Sequence, residues 1–133
     1  MAAPKIVTIQ SDLDIVAARM AARDMAKALG FGAIDQARIA TAISELARNI
    51  YLYAGEGTVT VREARQGVRK GIEVVCEDQG PGIEDVSLVM QDGYTTAKGM
   101  GMGLPGAKRL MDDFEIQSTV GQGTTVICRK WLR

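Results

Sequence analysis

Hydrophobic and polar positions alternate along this chain with two periods. Lys5 to Gln10 sets Ile6 and Thr8 against Val7 and Ile9, which predicts a short strand. From Ser11 the spacing becomes helical. Leu13, Val16, Ala17, Met20 and Leu29 form the expected apolar face, Ser11 with Asp14 resembles a capping box, and Gly30 closes the helix. A second helix is expected from Asp35 to about Ala54, with Ile39, Ile43, Leu46, Ala47 and Ile50 on one stripe. Thr58 to Ala64 and Ile72 to Glu77 are rich in β-branched residues and predict two strands joined through Gln66 and Gly71. Glycine then becomes dense, with nine of the fifteen between Gly80 and Gly123. Inside that region Leu104 to Met111 predicts a short helix with Pro105 in its first turn. Phe114 to Thr119 and Thr124 to Arg129 predict a final hairpin around Gly121 and Gly123. This order predicts an α+β fold, a two-layer sandwich with helices on one face of a mostly antiparallel, mixed sheet.

Composition narrows the function. At 133 residues the chain can bury one core but not two, so residues 1–133 are expected to form a single domain. Sixteen basic and sixteen acidic residues cancel, and aromatics are only 5%, so neither phosphate neutralisation nor base stacking favours nucleic-acid binding. No apolar run approaches the roughly 18 residues of a membrane span. Met1 to Lys5 carries no signal region, which predicts a cytoplasmic protein without membrane association. The basic end, Arg129, Lys130 and Arg133, is expected to be a solvated tail. Cys76 and Cys128 sit among strand-like residues and are expected to be core thiols. With no histidine, Ser-His-Asp and Cys-His hydrolysis, a Cys/His zinc site and a phosphohistidine on this chain are excluded.

Three sequence features carry candidate chemistry. Asp78-Gln79-Gly80-Pro81-Gly82 follows an apolar strand; it suits either a plain turn or a carboxylate facing a ligand that the glycines allow close. Gly99-Met100-Gly101-Met102-Gly103 leads into a helix, where free N–H groups and the positive dipole end suit a phosphate; a flexible linker is the alternative. There is no G-x-x-x-x-G-K-[ST], so a P-loop is out. Glu45 and Asn49 stack one turn apart on the second helix, with Asn49 roughly 90° from the centre of the apolar stripe. They either line a cleft or lie on a solvated face with Glu45 paired to Arg48.

Taken in order, Glu45-x-x-x-Asn49, Asp78-x-Gly80-x-Gly82, Gly99-x-Gly101-x-Gly103 and Gly123-Thr124-Thr125 resemble the boxes of the GHKL ATPase/kinase superfamily, over about Asp35 to Val126. The resemblance implies a Bergerat-type ATP-binding fold with ATP and Mg²⁺ as cofactors. Asp78 would accept from the adenine amino group, Gly80 and Gly82 would admit the base, and Thr124 would support it. Asn49 would hold Mg²⁺, Glu45 would act as general base, and the Gly101 and Gly103 amides would bind phosphate. A lid would span about Gln91 to Gly103, including Gly99, and Lys98 would be its cation.

Within the superfamily, a bare nucleotide domain resembles the bacterial switch kinases of partner-switching regulation. The run Glu45 to Gly57, E-L-A-R-N-I-Y-L-Y-A-G-E-G, looks closest to the stressosome branch. That branch implies a serine/threonine kinase acting on STAS-domain scaffold and antagonist proteins and, once released, activating a PP2C-type phosphatase. The alternatives are an anti-sigma factor kinase that sequesters a sigma factor, and a non-catalytic module that uses ATP to stabilise a docking surface.

Overall fold

The computed structural model describes residues 3–91 and 103–133. In chain order the elements are β1 (Lys5–Ile9), α1 (Asp12–Leu29), α2 (Ala33–Tyr53), β2 (Gly57–Gln66), β3 (Arg69–Asp78), α3 (Val86–Val89), α4 (Gly103–Leu110), β4 (Asp113–Thr119) and β5 (Gly123–Trp131). The strands form one sheet in the order β1-β2-β3-β5-β4. Every described pairing is antiparallel, so the parallel component of a mixed sheet does not occur among them. Alternation gives each strand one apolar face. Val59 and Val61 of β2 lie in register with Cys76 and Val74 of β3, and these with Val126 and Cys128 of β5. That face is buried together with Ile39, Ile43, Leu46, Ala47 and Ile50, the stripe expected on α2. Full burial of each such aliphatic side chain stabilises by about 1.5–3 kcal/mol.

Helix α1 turns the other way from its expected face. Of Leu13, Val16, Ala17, Met20 and Leu29, only Leu29 is buried, and Leu13 is 80% exposed. The buried side is Ile15, Ala18, Ala21, Ala22, Met25, Ala26 and Leu29. Alanines let α1 lie close against α2 and the sheet, and they lose no side-chain entropy on burial. The expected cap is also only half formed. Asp14 accepts from the Gln10 N–H at 2.9 Å and from the Ser11 hydroxyl at 3.2 Å, while the Ser11 side chain caps no helix N–H. Gly30 closes α1 at φ 105°, with the Phe31 N–H reaching Ala26 O at 3.0 Å.

Of the basic end only Arg133 is largely exposed, and the rest is not a solvated tail. Arg129, Lys130 and Trp131 belong to β5. Lys130 is 7% exposed, and its ammonium donates to Leu110 O at the C-terminal end of α4 at 2.9 Å. A lysine stem can lie along apolar surface while its charge meets a helix's negative end. On the uncovered sheet face, Arg62 and Arg129 each donate from Nε to Glu73 at 2.6 Å. A cavity of about 350 Å³ opens beside them, lined by residues including Ala64, Asp113 and Trp131. The predicted core thiols, Cys76 and Cys128, are free and buried. No described helix is long and apolar enough to cross a membrane.

Candidate functional site

At the end of the sheet where β3 finishes, register alone sets up a polar row. Asp78 of β3 pairs with Gly57 of β2 and Thr124 of β5, and Thr124 pairs with Ser118 of β4. By alternation, Asp78, Thr124 and Ser118 share the face of Cys76, Val126 and Ile116, which is the helix side. The row lies beneath the C-terminal end of α2. A side chain at Gly57 would meet Ile50 Cγ2 at 2.7 Å, and one at Gly80 would meet Ala54 Cβ at 2.6 Å.

Asp78 is half-buried and its Oδ1 accepts from the Gly80 N–H at 2.9 Å, closing an Asx-type turn. Its Oδ2 makes no hydrogen bond to another described residue. The turn expected of this segment and an available carboxylate oxygen therefore coexist. Gly82, at φ 78°, passes so close to the Thr119 carbonyl that no side chain fits. Gly123, at φ 127°, meets the Asp78 carbonyl in the same way. Both contacts are within the protein, so backbone packing by itself accounts for these glycines. Thr124 Oγ1 and Ser118 Oγ are 2.8 Å apart and hydrogen-bonded, and Ser118 Oγ also accepts from the Ile83 N–H at 2.7 Å.

The other end of the site lies further back along α2. Glu45 is 7% exposed, so it is not on a solvated face, yet it does pair with Arg48. Its Oε1 accepts from Arg48 Nη1 at 2.5 Å, and its Oε2 faces the Gly103 N–H, the first of α4, at 3.4 Å. A carboxylate at a helix N-terminus is favoured by the local dipole. Asn49, half-buried one turn on, makes no side-chain hydrogen bond among the described residues. Helix α2 thus arrays Glu45, Asn49 and Ala54 in sequence, and from Glu45 to Ala54 it rises about 14 Å. The 350 Å³ cavity lies on the opposite sheet face, away from this constellation.

The structure therefore brings Glu45, Asn49 and Gly103 together where α2 meets the start of α4, and sets Asp78, Gly80, Gly82 and Thr124 under the C-terminal end of α2. Lys98, Gly99, Gly101 and most of the expected lid from Gln91 to Gly103 lie outside the described residues. Sequence reasoning missed Ser118. Counting register outward from the Gly121 turn would have set it opposite Thr124.

Comparison with known proteins gives the family and the fold. The chain matches the family model described as a histidine kinase-like ATPase domain over residues 9–130. It is 56% identical over 127 residues, 96% of each chain, to the serine/threonine-protein kinase RsbT of Bacillus subtilis (strain 168). To the anti-sigma F factor of Thermoanaerobacter sp. (strain X514) it is 36% identical over 102 residues, covering 72% of this chain and 70% of that one. A solved structure of the RsbU and RsbW domains of a Mycobacterium tuberculosis protein superposes with TM-score 0.69 at 18% identity, over 97% of this chain and 32% of that one. The catalytic domain of the histidine kinase ThkA superposes with TM-score 0.55 at 14% identity, over 95% of each chain. These two are likenesses of fold.

Proposed function

This chain belongs to the histidine kinase-like ATPase domain family and is an ATP-dependent serine/threonine-protein kinase, and from that premise we propose that it transfers the γ-phosphate of ATP to a serine or threonine of a STAS-domain scaffold or antagonist protein. Once released from that partner, it activates a PP2C-type phosphatase by binding it. The observation that carries this reading is the order of groups along α2. A buried carboxylate stands at the N-terminus of α4, an amide with no competing hydrogen bond follows one turn on, and the polar row around Asp78 lies under the helix end.

In this reading Asp78 Oδ2 accepts from the adenine amino group, with Thr124 and Ser118 supporting that end. Gly80 and Gly82 shape the turn that carries Asp78. Asn49 offers a neutral oxygen suited to Mg²⁺, an ion otherwise held mainly by phosphate oxygens and water. When bound, the ion supplies charge neutralisation at the phosphates. Gly103, together with Lys98, Gly99 and Gly101, binds phosphate. Glu45 Oε2 takes the proton of the acceptor hydroxyl while that oxygen bonds to the γ-phosphorus. The bond from phosphorus to the bridging oxygen breaks, and ADP leaves with its electron pair. Catalysis of this kind rests on positioning and charge rather than on a covalent intermediate.

The test is transfer from labelled ATP to a STAS-domain partner. Acid-stable label on the partner is expected, since a serine or threonine phosphate ester survives acid. In Glu45→Gln the rate should fall by about 10²–10⁴ while ATP still binds. Transfer by Glu45→Gln at the wild-type rate removes the base assignment, and absence of label on any STAS partner removes the substrate class. The anti-sigma F factor relative supports a second reading, sequestration of a sigma factor, which retention of a sigma factor in a pull-down would favour.

A further inference from the structure

Glu45 is buried, and its carboxylate has two described partners of unequal quality. Oε1 is held by the Arg48 guanidinium at 2.5 Å, in a charge-assisted bond. Oε2 faces the Gly103 N–H at 3.4 Å, beyond the usual range for such a bond. An incoming hydroxyl can displace the second partner at little cost but not the first. The two oxygens are therefore not equivalent, and the neighbour that distinguishes them is three residues along the same helix.

We propose that Arg48 is the positioning residue of Glu45: it fixes Oε1 so that Oε2 is the oxygen presented to the acceptor hydroxyl. This rests on the reading of Glu45 as general base. A carboxylate so enclosed cannot rely on water to set its orientation, and a free rotation about its terminal bond would present either oxygen or neither. Arg48 is well placed for the task because its own side chain is 35% exposed at the rim of the cleft. It can be replaced without opening a core cavity, unlike Ile43, Leu46 or Ala47 beside it. The planar guanidinium also defines direction as well as charge, which an ammonium does not.

The proposal makes Arg48 act through Glu45 and not on nucleotide or partner, so a double-mutant cycle tests it. Arg48→Ala is expected to lower the single-turnover transfer rate by about tenfold to a hundredfold, the scale on which small misplacements act. The Kd for ATP should stay near wild type, while the unfolding temperature should fall because a buried carboxylate loses its partner, so transfer is compared well below that temperature. Arg48→Lys should recover part of the rate. In a Glu45→Gln background, Arg48→Ala should cost nothing further, because an amide takes no proton and its orientation no longer limits transfer. An equal fold loss in both backgrounds would show that Arg48 works elsewhere and overturn the proposal, as would an unchanged rate in Arg48→Ala. If Glu45→Gln transfers too slowly to follow, Arg48→Lys decides: a rate no better than that of Arg48→Ala also overturns it. Wild-type transfer by Glu45→Gln alone instead removes the base assignment on which the proposal rests, so the two failures are distinguishable.

Discussion

In the proposed site Asp78 divides its carboxylate between two tasks, with Oδ1 holding the turn at Gly80 and Oδ2 open to the adenine amino group. Asparagine keeps an oxygen for the turn but presents an amide N–H₂ where the adenine amino group needs an acceptor. Asp78→Asn should therefore weaken ATP binding by about 10- to 100-fold, the scale of a lost hydrogen bond to a charged group, with little change in unfolding temperature. Calorimetry that finds equal affinity removes the adenine assignment. Glu73, on the uncovered sheet face, ties β2 to β5 through Arg62 and Arg129. Burial raises its pKa, but hydrogen bonds and charge from Arg62 and Arg129 more than reverse this and hold it below the usual carboxylate range. A carboxylate whose folded pKa is lowered contributes stability above its unfolded pKa and loses it as pH falls through the folded one. Wild type should accordingly unfold at a higher temperature than Glu73→Gln at neutral pH, and the gap should close below about pH 4. A gap independent of pH would mean that the charge is not what matters. The two thiols are held neutral by burial, Cys128 with its pKa pushed up to about 12.

Among the elements, α1 separates what size suggests from what packing selects. Leu13, Val16 and Met20 are large and helically spaced, so a search for an apolar stripe finds them. The buried face, mostly alanine, gives a weaker signal although it makes the closer contact. The two faces make opposite predictions. Leu13→Ala should change stability by no more than about 0.5 kcal/mol in urea unfolding, whereas Met25→Ala, on the buried side, should cost about 2–5 kcal/mol. Equal costs would restore the outer stripe to the core. Helix α2 was legible because Ile39, Ile43, Leu46 and Ile50 share one buried face, while Ile34, 70% exposed, lies before the predicted start at Asp35. The four-residue α3 was not legible; it is fixed by Asp85 accepting from the Leu88 N–H at 3.0 Å, with no apolar period to announce it. Lys130 was misread because a charge in a terminal segment suggests solvent, and its carbonyl partner on α4 is twenty residues away in sequence.

For the whole molecule, family membership was legible in four short boxes whose order matters more than any one of them. That Thr124 comes to lie beside Asp78 was not, because it depends on β5 lying between β3 and β4. The switching reading makes its prediction at this scale. Phosphorylation of the STAS partner should weaken its complex with this chain, since roughly two added negative charges oppose any acidic or apolar contact there. The freed kinase should then bind the phosphatase in competition with the unphosphorylated partner. Size-exclusion chromatography that recovers all three proteins in one complex would refute switching and leave the kinase standing.

The placement of β5 also bears on how a new molecule is made. A nascent chain that has emerged from the ribosome as far as Thr119 already contains Glu45, Asn49, Asp78 and Ser118. It lacks the strand that joins β4 to β3 and sets Thr124 between Asp78 and Ser118. Pairings this distant in sequence form late in folding. In the proposed reading the adenine end is thus completed by one of the last steps of biogenesis, and a chain without β5 is expected not to hold ATP.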